Sequence, residues 1–140
     1  MIIKQISIFV ENRQGRLAEI TGIIAENNIN IRALSIADTT HFGVLRIIVD
    51  DPFEAEHILR ENNLAVSLTS VVAVNIEDVP GGLHKLLRLL SENDLSIEYM
   101  YHAHVKPEEK TACVVMRIEE DLKAQQILAA NGYTGPEYIN

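Results

Sequence analysis

What this chain lacks narrows the field. Its 140 residues include one cysteine, Cys113, so no disulfide can form within it, and a reducing compartment is expected. Cations are scarce: 12 Lys and Arg stand against 20 Asp and Glu, a net charge of −8. That balance excludes a generic nucleic-acid binder, which would need a basic patch. The carboxylates are scattered, so they form no acidic tail either. No apolar run approaches the roughly 18 residues of a membrane span. The opening "MIIKQISIFVENR" lacks the basic, apolar and small-residue order of a signal peptide. A cytoplasmic protein is the expectation. Nothing resembles a nucleophile beside its base. Cys113 lies within the apolar "TACVVMRI", as a small hydrophobe would, and no enzyme activity is expected.

What is present is 47% hydrophobic sequence, enough for a real core, arranged with two different periods. Ile6, Ile8 and Val10 alternate as on a strand. After the polar "ENRQGRL", Leu17, Ile20, Ile23 and Ile24 fall at helical spacing, and Asn27 and Asn28 close that helix. "INIRALSIAD" and "VLRIIVDD" read as strands, with "THFG" as a hairpin turn on Gly43. Pro52 suits the first turn of a second helix, which Asn62 and Asn63 end. "AVSLTSVVAVNIED" is one long β-rich run. The order is β-α-β-β-α-β.

That order then repeats. A shift of 66 carries Gly15 to Gly81, Leu17 to Leu83, Asn27 to Asn93 and Ile31 to Ile97; a shift of 69 carries Ile58 to Ile127 and Asn62 to Asn131. Two domains are therefore expected, residues 1–70 and 71–140, joined inside an apolar β run and rigidly coupled. The class is α+β. Each unit is a ferredoxin-like βαββαβ sheet with both helices on one face. Joined side by side, the two antiparallel sheets would make one of eight strands.

The turn between first strand and first helix occurs in both copies, as Asn12 to Leu17 and as Asp78 to Leu83. Amides at a helix N-terminus lack partners and, with the helix dipole, favour an anion. Gly15, Gly81 and Gly82 allow close backbone approach. Asn12 and Asp78, three residues before the glycine, can accept from an ammonium group. A carboxylate-binding turn beside an ammonium acceptor suits a free α-amino acid.

"ENRQGRLAEITGIIAENNINI" and "EDVPGGLHKLLRLLSENDLSI" resemble the opening of ACT domains, regulatory modules of the same element order that bind amino acids and other small effectors. The resemblance covers nearly the whole chain, as two ACT units with no catalytic domain. It implies ligand loops at Asn12, Arg13, Gln14, Gly15, Arg16 and Leu17, and at Asp78, Val79, Pro80, Gly81, Gly82 and Leu83. The asparagine that members use at the start of the second strand matches Asn30; its counterpart is Ser96. Serine-responsive members have a histidine two residues before the loop asparagine, where this chain has Val10 and Ile76, so serine specificity is not expected. The resemblance implies a small regulatory or sensor protein with a free amino acid as effector, held where the two units meet, and with no cofactor. An enzyme partner regulated in trans and a homodimer are compatible with it; nucleic acid and membrane are not expected partners.

Other constellations compete with the turns. His102 and His104 alternate on a strand, with Cys113 on its neighbour, and could form a transition-metal site. Nickel-responsive repressors carry a similar His-x-His on an ACT-like strand, but this chain lacks a DNA-binding arm. Tyr99, Met100 and Tyr101 are candidates for a ligand or interface wall. The pairs Asp50–Asp51 and Glu119–Glu120 precede a helix at the same repeat position and suit its dipole. The stripe Leu83, Leu86, Leu87, Leu89 and Leu90 reads as core.

Overall fold

The structure is a computed structural model that describes residues 1–38 and 41–137, apart from the side chains of Asp38, His104, Val105 and Lys106. The chain divides into two compact units. The first holds Lys4–Thr69; the second holds Met1–Ile3 and residues 70–137.

In the first unit the order is β1 (Ile2–Glu11), α1 (Arg16–Glu26), β2 (Ile31–Asp38), β3 (Phe42–Val49) and α2 (Pro52–Glu61). The strands lie antiparallel in the order β2-β3-β1, with Val10 opposite Gly43 and Glu11 opposite Phe42. Next come β4 (Val66–Glu77), α3 (Gly82–Glu92), β5 (Ile97–Lys106), β6 (Thr111–Ile118) and α4 (Asp121–Ala130). In the second unit the order is β4-β6-β5, with Ile76 opposite Ala112 and Glu77 opposite Thr111. The two α+β units thus repeat the same elements in the same register.

Eight strands were expected, whereas the described residues form six. The last strand of the first repeat and the first of the second are a single strand, β4. Beyond α4 the chain contributes isolated backbone bonds, such as Asn75 N–H to Thr134 O at 2.8 Å. Pro136 follows there and has no N–H for a ladder. Gly43, read as a turn residue, lies within β3; residues 39 and 40 of that hairpin are outside the described residues.

Each helix buries one stripe against its sheet. Ile20, Ile24 and Leu59 join Ile6, Ile8, Leu45 and Ile47 in the first core. Leu86, Leu90 and Leu128 join Val72, Val74, Met116 and Ile118 in the second. Burying each such side chain contributes about 1.5–3 kcal/mol. Leu83 departs from the expected stripe: it is 40% exposed, as its counterpart Leu17 is at 42%.

All four helices stop in the same way. Asn27, Asn62, Asn93 and Asn131 each donate a side-chain N–H to the carbonyl four residues back. The next residue is left-handed: Asn28, Asn63, Asp94 and Gly132 have φ of 57°, 61°, 56° and 83°. The residue after that donates back to the helix, as Ile29 N–H does to Ile24 O and Leu95 N–H to Leu90 O. This is a Schellman closure, and it places an apolar residue under the last turn.

Candidate functional site

The two glycine turns have one backbone. Gly15 has φ 83° and ψ −8°; Gly81 has φ 87° and ψ −6°. This left-handed conformation costs an L-residue roughly 1–2 kcal/mol, which is why glycine stands there. The Asn12 N–H is held by His41 O at 3.0 Å and the Asp78 N–H by Lys110 O at 2.8 Å, so the neighbouring hairpin fixes each turn. Neither α1 nor α3 has a side-chain cap. By contrast α2 begins on Asp51, whose carboxylate accepts the Glu54 N–H at 3.2 Å. The helices after the glycine turns therefore present first-turn amides that no side chain covers.

The two turns differ at the residue after the glycine. A Cβ on Gly82 would collide with the carbonyl oxygen of Glu77. Its counterpart in the first turn is Arg16, so the second turn folds more tightly onto its strand.

In the first unit, the turn and the strands beside it enclose a cleft of about 240 Å³. Glu11, Asn12, Arg13 and Arg16 give it polar walls, with the Glu11 carboxylate 3.6 Å from the Arg13 Nε; Val10, Leu17, Ile36 and Gly43 give it an apolar side. Arg13 donates to both oxygens of Glu19, at 3.1 and 3.0 Å, and Arg16 donates to the same carboxylate at 2.9 Å. These hydrogen bonds, from Arg13 first and then Arg16, hold the Glu19 carboxyl below its ordinary range; the bond to Glu19 raises Arg13. The Arg16 Nε is buried and makes no hydrogen bond. The arrangement can hold a carboxylate at the guanidinium groups and an apolar group against Leu17 and Ile36.

Four of the six residues expected in the first loop line this cleft; Gln14 and Gly15 shape the turn without lining it. Asn30 is not brought to its own unit's turn. Its N–H bonds the Asp50 carboxylate at 3.0 Å, beside the far end of β3. Seven residues of strand, roughly 23 Å, separate that end from the Phe42 end beside the turn. Ser96 precedes Ile97, opposite Ile118, and is likewise remote from the Asp78 turn at the Thr111 end of β6. Of the second loop, Gly82 alone lines the larger cleft of that unit.

The metal set is not assembled among the described residues, which contain no group of three ligating side chains. His102 stands opposite Val114, which faces the helices, so the adjacent Cys113 points to the other side of the sheet and is fully buried. The His104 side chain lies outside the described residues, beyond an irregularity in the β5–β6 ladder. The carboxylate pairs fit their structural reading in part: Asp51 caps α2, while Glu120, at the start of α4, makes no side-chain cap. No described helix is long and apolar enough to cross a membrane.

Sequence reasoning missed Glu19, Ile36 and Gly43. Glu19 was legible in its spacing, three residues after Arg16 on one helix face. Ile36 and Gly43 become neighbours of the turn only through strand register.

A family model described as an ACT domain pair matches residues 1–134. A Bacteroides thetaiotaomicron protein of known crystal structure is 42% identical; the match covers 95% of this chain and 90% of that one, with a TM-score of 0.89. The regulatory subunit of aspartate kinase from Thermus thermophilus, in ligand-free form, is 17% identical with a TM-score of 0.65, over 92% of each chain. Its Thermus flavus counterpart is also 17% identical, with a TM-score of 0.64, over 93% of this chain and 92% of that one. At that identity the Thermus likenesses concern the fold alone. A search of curated proteins found no match.

Proposed function

Since the chain belongs to the family of ACT domain pairs, matched over residues 1–134, we propose that it is a regulatory protein that senses a free amino acid at its glycine turns rather than an enzyme. The observation that carries this reading is the duplicated turn: two left-handed glycines, each opening an uncapped helix, one of them beside a cleft with two guanidinium groups. The ligand carboxylate would meet Arg13, Arg16 and the first-turn amides, the ammonium Asn12, and an apolar side chain Leu17 and Ile36. Asp78 offers the ammonium a charged acceptor in the second turn; Asn30 and Ser96, remote from the turns of their own units, take no part in this reading. Isothermal titration against the twenty amino acids tests the reading. Saturable heat from at least one is expected; none at millimolar concentration from a folded sample refutes it.

A second reading, a subunit that regulates an enzyme in trans, is favoured by Phe53 and Leu122. They occupy the same repeat position, at the start of α2 and α4, and are 64% and 67% exposed. Pull-down from source cells with the native chain and with Phe53→Ser/Leu122→Ser decides it: a protein kept by the first and lost by the second supports it, equal recovery refutes it. A cytoplasmic setting and a homodimer belong to the same proposal. Cell fractionation and sedimentation check them.

A further inference from the structure

The second unit contains a larger cleft, about 340 Å³, between the start of α3, the end of α4 and the edges of β4 and β6. That volume falls within the range of small-molecule clefts, roughly 300–1,000 Å³. It shares only Gly82 with the turn residues discussed above. Its lining is mostly polar and carries both signs of charge: Glu77 at the end of β4 and Lys85 on the first turn of α3. Neither has an ion-pair partner among the described residues, so two opposite charges face one space without neutralising each other. The first unit differs, because there the corresponding residue is Glu19 and both guanidinium groups already hold it.

Hydrogen-bonding groups surround the charges. Asn75 donates its amide to Thr134 and to Gly135 O, at 3.4 and 3.2 Å, and Asn131 donates to Ile127 O at 2.8 Å. Their side-chain carbonyls remain acceptors. Thr111 and Thr134 add hydroxyls. An acid, a base and a ring of neutral polar groups in one cleft fit a molecule that carries both charges and a polar end.

We propose that this cleft is a second binding site, for a zwitterionic amino acid with a polar side chain, its carboxylate on Lys85 and its ammonium on Glu77. The site does not depend on the first turn's being a ligand site. The test is a titration of the ¹⁵N-labelled full chain with L-glutamine, followed by amide shifts, with glutarate as a dicarboxylate lacking the ammonium. Saturable shifts are expected at Asn75, Lys85, Thr111 and Gly132–Thr134. Both Lys85→Met and Glu77→Gln should weaken binding about tenfold or more. Both residues are exposed, and unchanged spectra away from the cleft show that the variants fold. Lys123→Met, outside the cleft, should bind as the parent does. Absent shifts at these amides, equal binding of glutarate, or undiminished affinity in both cleft variants each overturn the proposal. Shifts confined to residues 12–17 would overturn it while leaving the first-turn reading intact.

Discussion

In the first unit Arg13 and Arg16 close on Glu19; in the second, the same three positions carry Val79, Gly82 and Lys85. The glycine conformation is kept, since Gly15 and Gly81 differ by 4° in φ. Duplication has kept the part that glycine conformation, strand register and the Schellman ends dictate. It has left side-chain charge to diverge. The first turn neutralises itself, so a ligand carboxylate there must compete with Glu19. Asp78 in the second turn has no ion pair among the described residues, nor have Glu77 and Lys85 of the neighbouring cleft, so a ligand at either place meets no internal competitor. Under the proposed reading, the two turns then favour different molecules.

The largest expected effect tests whether the cores are equivalent. Ile20→Ala and Leu86→Ala remove the same position from each core, both fully buried. Each should cost about 2–5 kcal/mol in urea denaturation. Costs that differ by more than the spread between sites would mean that the units do not pack alike.

Gly82→Val comes next. It forces a Cβ against the Glu77 carbonyl and should cost about 1–3 kcal/mol. Arg16→Val, at the matching place, should cost less than about 1 kcal/mol. Equal costs would remove the claim that the second turn is the tighter one. At Gly15 a Cβ would meet nothing within 4 Å, so Gly15→Val acts through its φ of 83° and should disturb the turn, and any ligand affinity, more than the core.

Affinity sharpens the comparison further. Charged hydrogen bonds are worth roughly 1.5–3 kcal/mol against about 1 for neutral ones. Asp78→Ala should therefore weaken amino-acid binding more than Asn12→Ala does. Pro80 adds to this by stiffening the second turn before a ligand arrives. The reverse order, by calorimetry on two folded variants, would overturn the ranking and leave the sensor reading standing.

The smallest effect is one of pH. The Glu19 carboxyl is held below its ordinary value by Arg13 and Arg16. The contribution of this cluster is fully present above the unfolded glutamate range. It is lost as pH falls through the lowered folded value. Carbon-detected NMR of the Glu19 carboxylate should show a midpoint below the ordinary glutamate range, and Arg13→Gln/Arg16→Gln should return it to that range.

Much of the fold was legible because two periods and one repeat constrained it together. The four Asn-ended helices and the glycine turns are local signals, each needing a residue type at a stated place. Long-range facts were not legible. The merging of two strands into β4 was half legible: "AVSLTSVVAVNIED" reads as one long β-rich run, yet the repeat order counts it as two strands of eight. Gly43 was misplaced because glycine at a strand end reads as a turn until its partner Val10 is known. For the site, the turn residues could be named, but the cleft walls at Ile36 and Gly43 arise from register, and the Arg–Glu cluster from helix geometry.

The central claim is that the glycine turn of the first unit holds an amino-acid ligand. An amide-resolved titration of the labelled chain with the amino acid that gives the strongest calorimetric response tests it most directly. The account predicts saturable shifts at residues 12–17, with smaller ones at Ile36 and Gly43, beside those of the tighter second turn, and loss of the first-turn shifts in Arg13→Ala/Arg16→Ala. First-turn amides that stay unmoved at saturation, or that shift unchanged in that double substitution, would contradict it.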